Sequence, residues 1–167
     1  MNFTTTIIKH ADVSEEEITE ICKIKAIRWN YTLDQHRNWL IENIDENDYH
    51  LIIKQDSEVV AYTNLVDVVA TINNEQIKVR GIGNVCTAET GKGYGNILMD
   101  SVNKSLLTND WVGLLLCKSE LVQFYEKFDW IVIEDGDIVA TNHPQISFML
   151  FEFSQTVFSL KYQDRNF

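Results

Sequence analysis

The run Gly91-Lys92-Gly93-Tyr94-Gly95 carries the plainest chemical potential in this 167-residue chain. Its three alternating glycines allow a turn whose backbone N–H groups point into an open concavity. Residues 77–85 before it are apolar and Gly-spaced, as in a strand; Ile97, Leu98, Val102 and Leu106 after it recur at helical spacing. A turn that ends a strand and opens a helix offers unpaired donors at the positive end of the helix dipole, a combination that binds phosphate. One glycine would serve an ordinary connection; three, with Lys92 among them, favour an anion cradle. Two known phosphate loops are excluded. A Walker-type loop needs Ser or Thr after Gly91-Lys92, where Gly93 stands. A dinucleotide G-x-G-x-x-G fails because the glycines alternate without a third at the required step.

Other reactive side chains read more blandly. Cys86 and Cys117 fall on two strands expected to be parallel neighbours, but neither has a nearby His to activate it, so both read as small buried residues. His10, His36, His50 and His143 show no ligand spacing, and no metal is assigned.

A second motif lies one strand-and-helix unit further on. Leu114-Leu115-Leu116-Cys117 is followed by Val122-Gln123-Phe124-Tyr125-Glu126-Lys127-Phe128-Asp129-Trp130. With Val85-Cys86-Thr87 leading into the glycine turn, the chain resembles the GNAT N-acetyltransferases from about Gly81 to Trp130. In that family the turn reads Arg/Gln-x-x-Gly-x-Gly/Ala, and the later helix ends Phe-Tyr-x-x-Phe-Gly-Phe/Trp. Thr90 stands where the pattern has Arg or Gln, and Asp129 where it has Gly. The runs Gly83-Asn84-Val85-Cys86-Thr87 and Leu116-Cys117 with Phe124-Tyr125-Glu126 also look like those of aminoglycoside 2'-N-acetyltransferases.

The resemblance implies acetyl transfer from acetyl-CoA to a primary amine, with acetyl-CoA as co-substrate. Backbone groups of Val85 and Thr87 would pair with the pantetheine arm. N–H groups of Gly91, Gly93, Gly95 and Asn96 would hold the pyrophosphate, with Lys92 as counter-charge. A backbone N–H near Val85 would stabilise the oxyanion. Tyr125 would protonate the departing thiolate; a phenol suits this because it stays protonated near neutral pH. The bland reading makes Tyr125 a core aromatic, a role that Phe124 is expected to fill better. For the general base, Asp67 shares a strand face with Leu65 and Val69, where apolar neighbours would raise its pKa. A solvent-facing Asp67, or a water chain in place of any residue, are the alternatives. The rival of another class is a non-catalytic CoA-binding or sensing module, and the acceptor could also be a protein or peptide amine.

The elements that must position these groups are legible in outline. Residues 2–9 read as a strand. Ser14 with Glu17 forms a capping box that opens a helix to about residue 28. A second helix spans residues 34–44, capped by Thr32 or Asp34. Between them Trp29, Tyr31 and Asp34 form either a core plug or a substrate wall. Strands follow at 50–54, 59–69 and 76–87, joined by turns at 55–57 and 72–75. A helix over 93–107 and a strand over 111–117 complete a right-handed parallel unit. A helix over 120–128, a strand over 130–134, a turn at Asp135-Gly136-Asp137 and a strand over 146–153 come next. The tail 154–167 reads either as another edge strand or as a mobile end. The expected fold is a mixed α/β (α+β), mostly antiparallel sheet flanked by helices, splayed at its one parallel βαβ pair by the co-substrate.

Composition bounds the partners. At 45% hydrophobic residues the chain is globular, and it reads as a single domain over 1–167. No apolar run is long enough to span a membrane and no secretory signal is recognisable, so a cytoplasmic protein with reduced cysteines is expected. A net charge of -11 argues against nucleic acid and suits a cationic small-molecule amine, or solubility alone. A terminal strand such as 146–153 could pair between chains in a homodimer.

Overall fold

A computed structural model describes residues 2–134 and 146–167; the expected turn at Asp135-Gly136-Asp137, His143 and Pro144 lie outside the described residues. The order of elements is β1 (Phe3–Lys9), α1 (Glu15–Arg28), α2 (Leu33–Asn43), β2 (Tyr49–Gln55), β3 (Glu58–Ile72), β4 (Glu75–Thr87), α3 (Tyr94–Thr108), β5 (Gly113–Lys118), α4 (Val122–Glu126), β6 (Ile131–Val132), β7 (Ile146–Phe151) and β8 (Leu160–Lys161). The sheet runs β1-β2-β3-β4-β5-β7-β6, with β8 on β3. It is a mixed α/β fold, antiparallel except where β4 and β5 pair in parallel. The chain divides into two compact units, described in turn.

The first unit holds the chain up to Val66, Gly83–Val102 and Phe167. β1 and β2 pair antiparallel from Phe3–Gln55 to Lys9–Tyr49, and β2 and β3 from Tyr49–Leu65 to Gln55–Glu58. Asp56 closes the β2–β3 hairpin with φ at +56°, a conformation Asp tolerates through its short side chain. Both helices begin on capping boxes, Ser14 with Glu17 and Thr32 with Gln35, which satisfy orphan N–H groups of the first turn. Ile21, Leu40, Leu51, Ile53, Tyr62, Leu65, Leu98 and Met99 are buried at its core.

The second unit holds Asp67–Ile82 and the chain from Asn103 to Asn166. Asn73 and Asn74, at φ +52° and +68°, join β3 to β4 through the two-residue turn that matches strand twist. β4 pairs with β5 through Arg80–Gly113, Gly81–Leu114 and Ile82–Leu115, and β5 pairs antiparallel with β7 from Gly113–Phe151 to Lys118–Ile146. Gly113 is required by packing: a Cβ there would stand 2.6 Å from the Trp130 ring and 2.8 Å from Leu106 Cδ1. Trp130 is fixed by stacking on Phe151 and by donating from Nε1 to Asn103 Oδ1 at 2.9 Å.

Two expectations change in this unit, for the helix over 120–128 and the strand over 130–134. The helix over 120–128 is a 3-10 turn, Ser119–Leu121, followed by the five-residue α4. Asp129, in the family's glycine place, does adopt the left-handed conformation, at φ +63°. The strand over 130–134 shortens to Ile131–Val132. The tail takes the edge-strand form: Thr71 pairs with Lys161 and Ile72 with Leu160. Side chains fasten it, since Asn73 Oδ1 accepts from the N–H of Phe158 at 2.9 Å and Asp164 Oδ2 accepts from the N–H of Val69 at 2.7 Å.

Candidate active site

The glycine turn lies between β4 and α3, as its sequence demands. Gly91 and Gly93 both sit at φ +77°, and a Cβ built on either would meet nothing within 4 Å. The glycines therefore serve the backbone conformation, and the space above them is open, as a group that cradles an anion requires. α3 starts at Tyr94, so the N–H groups of its first turn lack carbonyl partners within the helix. Just before the helix, Gly93 O accepts from the N–H of Ile97 at 3.2 Å and from that of Asn96 at 3.0 Å, so Asn96 is already engaged. Its expected role in an anion cradle is thus shared with a bond the turn already makes. Lys92 is exposed, and its Nζ lies 3.9 Å from Glu89 Oε2, so Glu89 moderates the counter-charge. Tyr94 anchors the turn, donating from its hydroxyl to Gln55 Oε1 at 2.9 Å.

β4 carries a kink that the sequence did not announce. The N–H of Arg80 donates to Val112 O on the β5 side, whereas the N–H of Ala88 donates to Val60 O on β3. Successive residues of a strand send their N–H groups to alternate edges, so two even-numbered residues should agree. They disagree because one residue between them is out of phase. Asn84, at φ +52°, is that residue, and it acts as a bulge. Beyond it, the edge facing away from β3 is supplied by Val85 and Thr87. Both are half-buried, while Cys86 between them is buried. The two residues expected to pair with an extended ligand arm are thus those whose backbone groups the kink turns outward.

Trp29 and Tyr31 lie in the α1–α2 connection of the first unit, and Asp34 lies in the first turn of α2. The carbonyl of Trp29 accepts from the N–H of Tyr31 at 2.8 Å and is 3.1 Å from His36 Nε2. Tyr31 is 62% exposed and meets His36 edge-on, so it does not plug a core. Below this connection Lys25 is buried, with its ammonium 3.9 Å from the centre of the Trp39 ring. Burial brings its pKa down to about 8.

Tyr125 and Asp67 belong to the second unit. Tyr125 is buried on α4 and Phe124 is only half-buried, which reverses their expected order. Desolvation, reinforced by Cys117, pushes the phenol well above its ordinary value. Asp67 is exposed on β3, with Oδ1 3.9 Å from Arg80 Nη2. The apolar enclosure expected to raise its pKa is absent, because the residue faces solvent and a guanidinium instead. Cys86 and Cys117 are buried free thiols, pushed by desolvation up to about 12 and about 11, which leaves them un-ionised and poor nucleophiles.

One part-buried chain of polar groups has no signature in the sequence. His10 Nδ1 is 2.8 Å from His50 Nε2, and His50 Nδ1 is 2.8 Å from the Tyr62 hydroxyl. No group of three or more His, Cys, Asp and Glu side chains suited to a metal occurs among the described residues.

Residues 10–133 match the acetyltransferase (GNAT) domain model, and the chain belongs to that family, whose acetyl donor is acetyl-CoA. The fold agrees with solved structures. An acyl-CoA N-acyltransferase from Pseudomonas aeruginosa is 18% identical and superposes over 88% of this chain and 97% of its own, with a TM-score of 0.65. ElaA from Escherichia coli is 16% identical over 90% of this chain and 100% of its own, with a TM-score of 0.67. PseH, an N-acetyltransferase from Campylobacter jejuni solved in complex with acetyl coenzyme A, is 13% identical over 90% and 100%, with a TM-score of 0.58. A comparison with curated proteins finds no match.

Proposed function

We propose that this protein transfers the acetyl group of acetyl-CoA directly to a primary amine. The observation that carries the reading is the glycine turn: two glycines at φ +77° under open space, at a strand-to-helix junction inside a matched acetyltransferase domain. The residues fit the co-substrate. N–H groups of Gly91, Gly93 and Gly95 hold the pyrophosphate with Lys92 beside them, and the outward backbone groups of Val85 and Thr87 receive the pantetheine arm.

The chemistry assigned to the chain is modest. The neutral amine attacks the thioester carbonyl carbon, a C–N bond forms and the C–S bond breaks. Tyr125 gives its phenolic proton to the departing thiolate and is reprotonated from solvent. Its raised pKa keeps that proton in place throughout the neutral range. The amine's proton leaves to water. Asp67, exposed and facing Arg80, lacks the enclosure that would make it a strong base. Trp29, Tyr31 and Asp34 line the acceptor side.

The acceptor is a small cationic amine, drawn by the net charge of -11, and the narrower likeness to aminoglycoside 2'-N-acetyltransferases puts aminoglycosides on the first panel to be tested. Thiol release is to be followed across a panel of amines, with wild type beside Tyr125→Phe. The variant should lose roughly 10²–10⁴-fold in kcat while binding CoA normally. CoA binding without turnover on any amine would refute the transferase and leave a sensing module.

A further inference from the structure

Resting on that reading, we propose that the carboxamide of Asn64 is a specificity-determining group: it donates a hydrogen bond to an oxygen of the amine acceptor. Asn64 lies on β3 and is fully buried. Its Oδ1 is occupied, accepting from Asn84 Nδ2 at 2.8 Å, but its Nδ2 has no hydrogen-bond partner among the described residues. An unpaired buried amide donor is destabilising, and folded proteins retain few of them.

The position of this donor makes it informative. Asn84 is the bulge residue of β4, and it interrupts the continuous burial of that strand: residues 79–83 are buried, Asn84, Val85 and Thr87 are half-buried, and Cys86 between them is buried again. Asn84 thus ties the unpaired donor to the point at which β4 becomes accessible. The backbone on either side is already committed, since Thr63 Oγ1 donates to Gly83 O at 2.7 Å. The backbone of Phe167 also packs on the bare Cα of Gly83, where a Cβ would stand 2.1 Å from Phe167 C. What remains is a fixed amide with its acceptor atom used and its donor unused.

Such a group selects for a lone pair and offers nothing to a cation. The outward backbone groups of Val85 and Thr87 are assigned to the co-substrate. Asn64 meets Asn84 through side chains on a face of the sheet, away from the backbone edge given to the co-substrate, so its donor is assigned to the acceptor. It favours an amine that carries a hydroxyl or carbonyl oxygen near the nitrogen, such as an amino alcohol or an amino amide, over a plain alkylamine. Leaving a buried donor unpaired when the wrong substrate binds is worth roughly tenfold to a hundredfold in discrimination.

The test uses nitrogen-labelled full-length protein saturated with CoA, with the side-chain amide resonances of Asn64 assigned. It is titrated with n-propylamine, 2-aminoethanol and glycinamide. The Asn64 resonances should shift with the two oxygen-bearing amines and not with n-propylamine. In Asn64→Asp, which keeps the shape but loses the donor, the preference for oxygen-bearing amines should fall at least tenfold. Asn64→Leu serves the same comparison where the buried carboxylate prevents folding. A shift on adding CoA alone would assign the donor to the co-substrate, and no shift with any amine would assign it to water; either overturns the proposal. Shifts without acetyl transfer would refute the transferase reading and leave this site standing. Transfer to all three amines with an unmoved Asn64 would do the reverse.

Discussion

Gly93 combines two properties that usually occur apart: a backbone angle only glycine adopts freely, and empty space where a side chain would go. A β-branched residue at φ +77° is strained by roughly 1–3 kcal/mol even without a clash. Relief requires the peptide to turn, which re-aims the N–H groups of the turn. Gly93→Val should therefore abolish CoA binding in calorimetry while lowering the thermal midpoint only slightly. Normal CoA affinity in this variant would remove the cradle from the mechanism. Glycine spacing makes this turn readable in the amino-acid sequence, because few other residues carry so direct a conformational message. Asn84 and Asp129 adopt positive φ as well, but Asn and Asp occur in many other settings, so the bulge and the helix end were not readable from them.

At the level of elements, the second unit depends on close approach around β5. Gly113 lets Trp130 and Leu106 meet over the strand, and Trp130 is held in place by Asn103 and Phe151. Gly113→Ala forces a methyl group to within 2.6 Å of the indole ring, so the ring or the strand must move. Overpacking of this kind is destabilising by about 1–3 kcal/mol, which a denaturant titration resolves. An unchanged midpoint would mean that the indole has room to retreat. The strands of the meander and its parallel neighbour were legible because alternation, β-branched runs and turn residues agreed. The short α4 was not: Leu121, Phe124, Tyr125 and Phe128 have helical spacing, yet a 3-10 turn takes the first of them and the α-helix stops at Glu126, before the last. Hydrophobic periodicity reports which side is buried, and it does not report how many turns are regular.

Across the whole molecule, acidity should weaken the fold through His50. Burial, with His10 and Lys25 nearby, brings this imidazole down to about 3. Its ordinary value is near 6.5, so between the two the unfolded chain takes up a proton that the folded one refuses. Stability contributed by the neutral form is complete above about pH 6.5 and is lost as the pH falls toward 3. The thermal midpoint should drop between about pH 6.5 and 5, above the carboxylate range, and the drop should be shallower in His50→Gln. An equally steep fall in the variant would place the sensitivity elsewhere. The chain of His10, His50 and Tyr62 was invisible in the sequence because its members come from three separate segments. The kink in β4 has a last consequence, for tolerance to change in length. At Asn84, substitution by glycine keeps the left-handed angle and should be mild. Losing or gaining one residue elsewhere between Arg80 and Ala88, with the Asn84 bulge kept, is of another order, since it would shift the phase of every residue beyond it. The donors of Cys86 would then face outward and those of Val85 and Thr87 would turn to β3. Evolution can vary the letters of this stretch more freely than it can vary their number.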